Sequence, residues 1–330
     1  MANRCLTYFL IVFYFLVNIA CSKEDDHTDV LTPPEKQTPK TVIPSSVDSE
    51  EEDSSSIFTS SNIYVSAEKY MDLANWSGWA QGSASYGDFF FQGYNNNLMI
   101  DVYSLKTKSF ICRIPINSSQ HSSLYHANTI NFGNQFYAED DTFPVLYVCS
   151  GYAQENSSKS LVLVYRIVQS DNDVFQAELI QTITLDFGSW TEAILDNEHN
   201  AIWIRDKHAY RKYPVPSVYV GDCLISSRDN CLKEIKHFKR PFKSSDQGHL
   251  FYDDSIWFPS GVPGWNEKTA LYMINTLTGK SEMVELKDLG LVNPLNPHDN
   301  TFEPEGVIAY NNQLMICFRK AIYSLIRKGD

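Results

Sequence analysis

The chain has 330 residues, is 43% hydrophobic and 13% aromatic, and carries a formal net charge of −13 at pH 7. That is enough apolar material to bury a substantial core, in one large domain or two ordinary ones. The acidity argues against a nucleic-acid binder, which needs a basic face for the phosphates, and is most simply a solubility device.

The N-terminus comes first. Arg4 precedes an apolar run of ten residues, YFLIVFYFLV (Tyr8–Val17). A bilayer-spanning helix needs about 20 such residues, so the run fits the core of a secretory signal, residues 1–20. It ends in NIAC, and small Ala20 before Cys21 resembles a bacterial lipobox, with Asn18 where Leu is usual. That resemblance implies lipidation of Cys21; the alternative is an ordinary signal peptide. The following CSKEDD (Cys21–Asp26) resembles the acidic export signal of Bacteroidota surface lipoproteins, implying an address on the outer face of the outer membrane. Acyl chains on Cys21 would anchor the protein, at roughly 0.8 kcal/mol per buried CH₂.

Residues 22–56 hold ten Asp and Glu against three Lys, with four prolines and no aromatic residue. Such a segment cannot bury enough apolar surface to offset its chain entropy, and its prolines and like charges keep it extended. With Cys21 it reads as a tether, 21–56, reaching on the order of 100 Å at about 3 Å per residue.

From residue 57 onward the chain repeats itself. QGSASYGD (81–88), ANTINFGN (127–134), EAILDNEH (192–199), QGHLFYDD (247–254) and EGVIAYNN (305–312) align without gaps. Each leads into an apolar strand: FFFQ, VLYVCS (after an enlarged turn), AIWI, SIWF and QLMICF. A third strand often follows, as in LMIDVYSL, LVLVYRI, ALYMINTL and AIYSLI, and sometimes a fourth, as in SFICRIPI and AELIQTITL. A small polar strand, a tight turn, an apolar strand and two amphipathic strands describe one propeller blade. The expectation is an all-β single β-propeller over 57–330, with five blades; the long irregular stretch 206–243 leaves room for a sixth. The last repeat lacks an outer strand, and SNIYVSAEKYMDL (61–73) is expected to supply it and close the ring. Gly82, Gly248 and Gly306 are expected to pack where the innermost strands crowd the axis.

Ligands of propellers bind at the axis or a channel mouth, and the first column of the repeat points there. It offers Gln81, Glu192, Gln247 and Glu305, with His126 and Asn128 flanking the equivalent position in repeat two. Asp246, His249 and Glu303 sit beside the column. Such a ring can coordinate Ca²⁺ through oxygen, hydrogen-bond a sugar or peptide, or be a structural ring bridged by channel waters. The Gln/Glu-Gly phrase resembles the five-bladed glutaminyl cyclotransferases, and the Glu/Asn ring resembles calcium-dependent lactonase propellers. Either likeness implies a metal-assisted hydrolase or cyclotransferase with Glu192 and Glu305 at the centre as catalytic candidates.

The loops favour recognition instead. Trp76, Trp79, Trp190 and Trp265 fall at blade starts or blade loops, where flat rings stack on sugars and anchor interfaces. The QG…Y phrase also resembles phage receptor-binding propellers, implying a glycan ligand. The expected function is therefore a surface propeller that binds an extracellular glycan, peptide or envelope protein. A purely structural role in an envelope complex is a further alternative. Cys112, Cys149 and Cys317 fall in strands and read as small core hydrophobes. Cys223 and Cys231, in GDCLISSRDNCLK, are spaced to close a disulfide across a hairpin, which an exported protein permits.

Overall fold

Alternating burial is what builds this molecule. The computed structural model describes residues 63–329 except 74–78, 96–98, 117–125, 152–158, 171–173, 227–231, 242–244, 264–267, 294–295 and 297–299. The anchor Cys21, the signal and tether segments, Trp76, Trp265 and Cys231 lie outside the described residues, and with Cys231 the proposed disulfide.

The first strand, β1 (Tyr64–Asp72), belongs to the last blade. Blade 1 is β2 (Ala80–Tyr86), β3 (Phe89–Tyr94), β4 (Met99–Ser104) and β5 (Ser109–Pro115). Blade 2 is β6 (Ala127–Phe132), β7 (Leu146–Ser150), β8 (Ser160–Gln169) and β9 (Phe175–Asp186). Blade 3 starts with β10 (Glu192–Asp196), β11 (Ala201–Arg205) and β12 (Ala209–Pro214). The chain then leaves it: β13 (Cys223–Ser226) pairs in parallel with β9 as a fifth strand of blade 2, and β14 (Lys236–Lys239) returns to pair with β12. Blade 4 is β15 (Leu250–Tyr252), β16 (Ser255–Ser260), β17 (Ala270–Asn275) and β18 (Ser281–Glu285). Blade 5 is β19 (Pro304–Tyr310), β20 (Gln313–Phe318) and β21 (Ala321–Arg327), completed by β1 antiparallel to β21.

The protein is thus a five-bladed β-propeller closed by an N-terminal strand, as the repeats predict. Among the described residues, the stretch 206–243 holds no sixth blade. It is long because it finishes blade 3 while lending one strand to blade 2.

The innermost strands β2, β6, β10, β15 and β19 each touch the next and close a ring about the axis. The core is five apolar wedges, one between each pair of adjacent blades. Successive side chains on a strand point to opposite faces, so one strand feeds two wedges. On β8, Leu161, Leu163 and Tyr165 pack toward blade 1, while Val162 and Val164 pack toward blade 3. On β20, Leu314, Ile316 and Phe318 face blade 4, and Met315 and Cys317 face blade 1. A strand buried on both faces needs apolar residues throughout, which is why the second strand of each repeat reads as an unbroken hydrophobic run. Cys149 and Cys317 are buried there, and half-buried Cys112 packs on the wedge between blades 1 and 2.

Candidate functional site: a guanidinium-lined pocket on the propeller axis

Each innermost strand begins, and each second strand ends, on the same face of the ring. A cavity of about 560 Å³ opens there at the axis, within the range of small-ligand sites. Of the predicted residues, Gln81, His126, Asn128, Asp246, Gln247 and Glu303 line it. Trp79 and Trp190 stand at its rim, 49% and 37% exposed. Glu192, Glu305 and His249 do not line it; they are fully buried.

Against the two glutamates stand arginines that the repeat pattern does not single out. Arg205 Nη2 donates to Glu192 Oε1 at 2.8 Å and to Asp246 Oδ1 at 2.6 Å. Arg240 pairs with Asp246 Oδ2 at 3.0 Å. Arg319 Nε donates to Glu305 Oε1 at 2.9 Å, and its Nη2 pairs with Glu303. The Arg319 guanidinium also lies over the Trp79 ring, 4.0 Å from its centroid, a favourable cation–π placement. All three arginines line the cavity.

A signal for two of them was present. Arg205 and Arg319 directly follow the apolar runs AIWI and QLMICF. In blade 3 that position lies opposite the first column, Glu192 pairing with Arg205 across β10 and β11, and in blade 5 Arg319 follows Phe318, which pairs with Pro304 next to Glu305. Opposite charges facing each other across a hairpin are the sheet's form of an ion pair. Arg240 had no such local cue, because it comes from the loop after β14.

Beneath the arginines the hydrogen bonds cross blades. His249 Nδ1 lies 2.9 Å from Glu192 Oε2, and His249 Nε2 lies 3.4 Å from Asp246 Oδ2. Asn128 Nδ2 donates to Glu192 Oε1 at 3.3 Å, the Thr129 hydroxyl donates to Glu192, and the Tyr210 hydroxyl lies 3.3 Å from His249 Nε2. Burial alone would raise the pKa of Glu192, but Arg205 and His249 outweigh it and hold the carboxyl below its ordinary range. Asp246 is likewise held down against burial by Arg205, His249 and Arg240. Burial works against a charged His249, yet Glu192 and Asp246 reverse the outcome and raise it, favouring the imidazolium.

The other cluster behaves oppositely. Burial, and then the neighbouring Glu303 carboxylate, push Glu305 well above the usual carboxylate range against the pull of Arg319. Its Oε2 has no hydrogen-bond partner among the described residues. Burial also raises Glu303 and lowers His126.

The oxygen ring does not fit a calcium ion. Calcium takes six to eight oxygens, whereas Glu192, Asp246, Glu303 and Glu305 already serve three guanidinium groups. Among the described residues, the His and carboxylate group spaced for a metal is elsewhere, at Glu198, His199 and Asp254 on the surface.

Two wall residues adopt strained backbone. Trp190 has φ 59° and His126 has φ 61°, the left-handed region that bulky side chains occupy only at a cost. Hydrogen bonds hold them there: Trp190 N–H to Gly151 O at 2.8 Å, Arg205 Nη1 to Trp190 O at 2.7 Å, and His126 N–H to Asn95 O at 3.2 Å. The two rings meet edge to face with centroids 4.8 Å apart. A Cβ on Gly151 would fall 2.8 Å from the Trp190 ring, so that glycine is what lets the indole lie where it does.

No family model matches the chain, and no curated protein matches it. Among solved structures it is similar to the glutaminyl cyclase of Myxococcus xanthus, with TM-score 0.48 and 9% identity over 81% of this chain and 98% of that one. The tail fibre of Staphylococcus aureus phage P68 has TM-score 0.48 and 11% identity, over 80% of this chain and 53% of the fibre chain. The Swd1 β-propeller domain of Myceliophteria thermophila has TM-score 0.39 and 10% identity, over 79% and 100%. At such identities the chemistry of the pocket rests on this chain's own residues.

Proposed function

We propose that the protein is a surface-tethered lipoprotein whose propeller captures an extracellular ligand in the axial pocket. The observation that carries the binding role is the arrangement of that pocket. The two carboxylates best suited to catalysis, Glu192 and Glu305, lie behind Arg205 and Arg319, off the cavity wall. The groups turned toward an incoming molecule are mainly indoles, amides and guanidiniums, with the His126 imidazole and the carboxylates of Asp246 and Glu303, which are held in ion pairs to those arginines, and this arrangement supports recognition. Backbone strain at Trp190 and His126 supports the same reading, since strain persists where function requires a particular geometry. A concave site of this size suits a glycan or a peptide better than a flat protein face. The anchor rests on Cys21 and the acidic residues after it.

Binding is tested with Trp190→Gly. Glycine accepts the left-handed backbone without strain, so stability should stay within about 1 kcal/mol of the parent. Affinity for any ligand found on a glycan or peptide array should fall at least tenfold. Undiminished affinity would remove the pocket from the function. For the anchor, an alkyne-palmitate label on the exported protein should disappear in Cys21→Ser, and protease added to intact cells should remove the propeller.

A further inference from the structure

The pocket gathers guanidiniums in a protein that is acidic as a whole. The whole chain is at −13, but the wall carries the guanidiniums of Arg205, Arg240 and Arg319 against the carboxylates of Asp246 and Glu303. Glu192 and Glu305 help to position the arginines from behind and offer no oxygen to the cavity. All three guanidiniums are thus ion-paired, to Glu192, Asp246, Glu303 and Glu305, and what they offer a ligand is N–H groups: Arg205 Nε is buried with no hydrogen-bond partner among the described residues. Buried guanidiniums aligned by carboxylates are preorganised donors, with a planar fork suited to oxyanions.

The rest of the wall is unlike an anion site for a bare ion or a peptide. Asn95 Oδ1 and Gln247 Oε1 are buried acceptors with no hydrogen-bond partner among the described residues. An anion cannot satisfy an acceptor, whereas a hydroxyl can. Among the described residues Val262 is the one aliphatic side chain on the wall, which leaves little for the apolar side chains of a peptide. Trp79 and Trp190 provide exposed indoles at the mouth, and flat rings match the faces of sugars.

We propose that the axial pocket selects an acidic saccharide, its carboxylate or sulfate held by the arginines and its hydroxyls by the amides. This rests on the pocket being the ligand site, and deepens that reading by naming the ligand class.

The test uses the full chain on an array of matched glycans: uronic-acid oligosaccharides, their methyl esters, sulfated oligosaccharides and their unsulfated parents. Hits are then measured by calorimetry. The expected result is that acidic members bind at least tenfold more tightly than their neutral counterparts, and that the preference shrinks as salt is raised. Preference for the uronates or for the sulfated set identifies which oxyanion is taken. Arg240→Gln should abolish the preference, lowering affinity for the acid tenfold while changing that for the neutral partner less than twofold. Arg319→Lys, which keeps the charge but loses the fork, should weaken the acid without unfolding the protein, as its melting curve will show. Equal binding of acid and ester, lost in Trp190→Gly, would overturn the anionic class and leave ligand binding standing. Binding confined to acidic peptides would likewise overturn the saccharide class. No binding to any glycan or peptide would overturn both readings.

Discussion

Glu305 and Glu192 occupy equivalent positions in the repeat, yet their environments shift their pKa values in opposite directions. Glu192 is buried, which would raise it, but Arg205 and His249 beside it lower its pKa below the ordinary range. Glu305 shares one arginine with Glu303, and two buried carboxylates on one cation favour keeping a proton. The consequences for stability have opposite signs. Glu305 is raised from 4.5, so the stability linked to its proton is complete below about pH 4.5 and is lost as pH rises through its folded value. His249, raised from 6.5, adds a loss above that pH. Glu192 and Asp246 are lowered, so their contributions are present above 4.5 and 3.8 and are lost as pH falls through their folded values. Stability should therefore peak on the acid side of neutrality and decline toward pH 8, by about 1.4 kcal/mol per pH unit for each proton released. Glu305→Gln mimics the neutral acid and should flatten that decline, as read by urea titrations from pH 4 to 8. An unchanged profile would mean that Glu305 is ionised in the folded protein.

At the scale of the element, the axis is set by how closely strands can approach. Gly248 has φ 52°, and a Cβ there would lie 2.3 Å from both Glu305 O and Gly306 Cα. Its N–H donates to Asn128 O at 2.8 Å, and its carbonyl accepts from Val307 N–H at 3.2 Å. The one residue thus ties blade 4 to blades 2 and 5, which explains why β15 starts only at Leu250 while its counterparts begin earlier in the repeat. Gly82 and Gly306 are crowded in the same way, by Asn128 O and Ser83 Oγ at 2.4 Å. Gly248→Ala brings both a disfavoured backbone and a collision with main chain that cannot rotate away. It should cost about 3 kcal/mol or more, visible as a lower denaturation midpoint. A change under about 1 kcal/mol would show that the ring can open enough to take a methyl group.

For the whole molecule, closure by β1 and five shared wedges make every blade depend on two neighbours. Tyr64 of β1 packs edge to face on Trp257 of blade 4, with centroids 6.0 Å apart, so the closing strand is held by packing as well as by its pairing with β21. The axis itself is held by ion pairs between arginines and acids. Melting curves of the full chain should accordingly be the same in EDTA and in millimolar Ca²⁺. An upward shift of several degrees with Ca²⁺ that vanishes in Glu305→Gln would place an ion on the axis and displace the arginines from their proposed role. A shift that survives in Glu305→Gln would point to the surface group of Glu198, His199 and Asp254.

Blade number, ring closure and the ring of axial residues were all legible in the amino-acid order. They follow from short-range rules: a period of two along each strand, a tight turn after a fixed count, and small residues where strands crowd. Gln81, Asn128, Gln247 and Glu303 reach the cavity for that reason. Other features depended on contacts that no local pattern encodes. His249 meets Glu192 from 57 residues away, and Thr129 meets it from 63. Such cross-blade partners complete the surroundings of Glu192, and the path of the chain after β14 is what brings Arg240 to the wall. The sequence by itself determined which residues come to the axis and set Glu192 opposite Arg205; the tertiary structure decided which of them face a ligand, because burial, and the contacts that His249, Thr129 and Arg240 make with groups distant in sequence, are settled only when the blades come together.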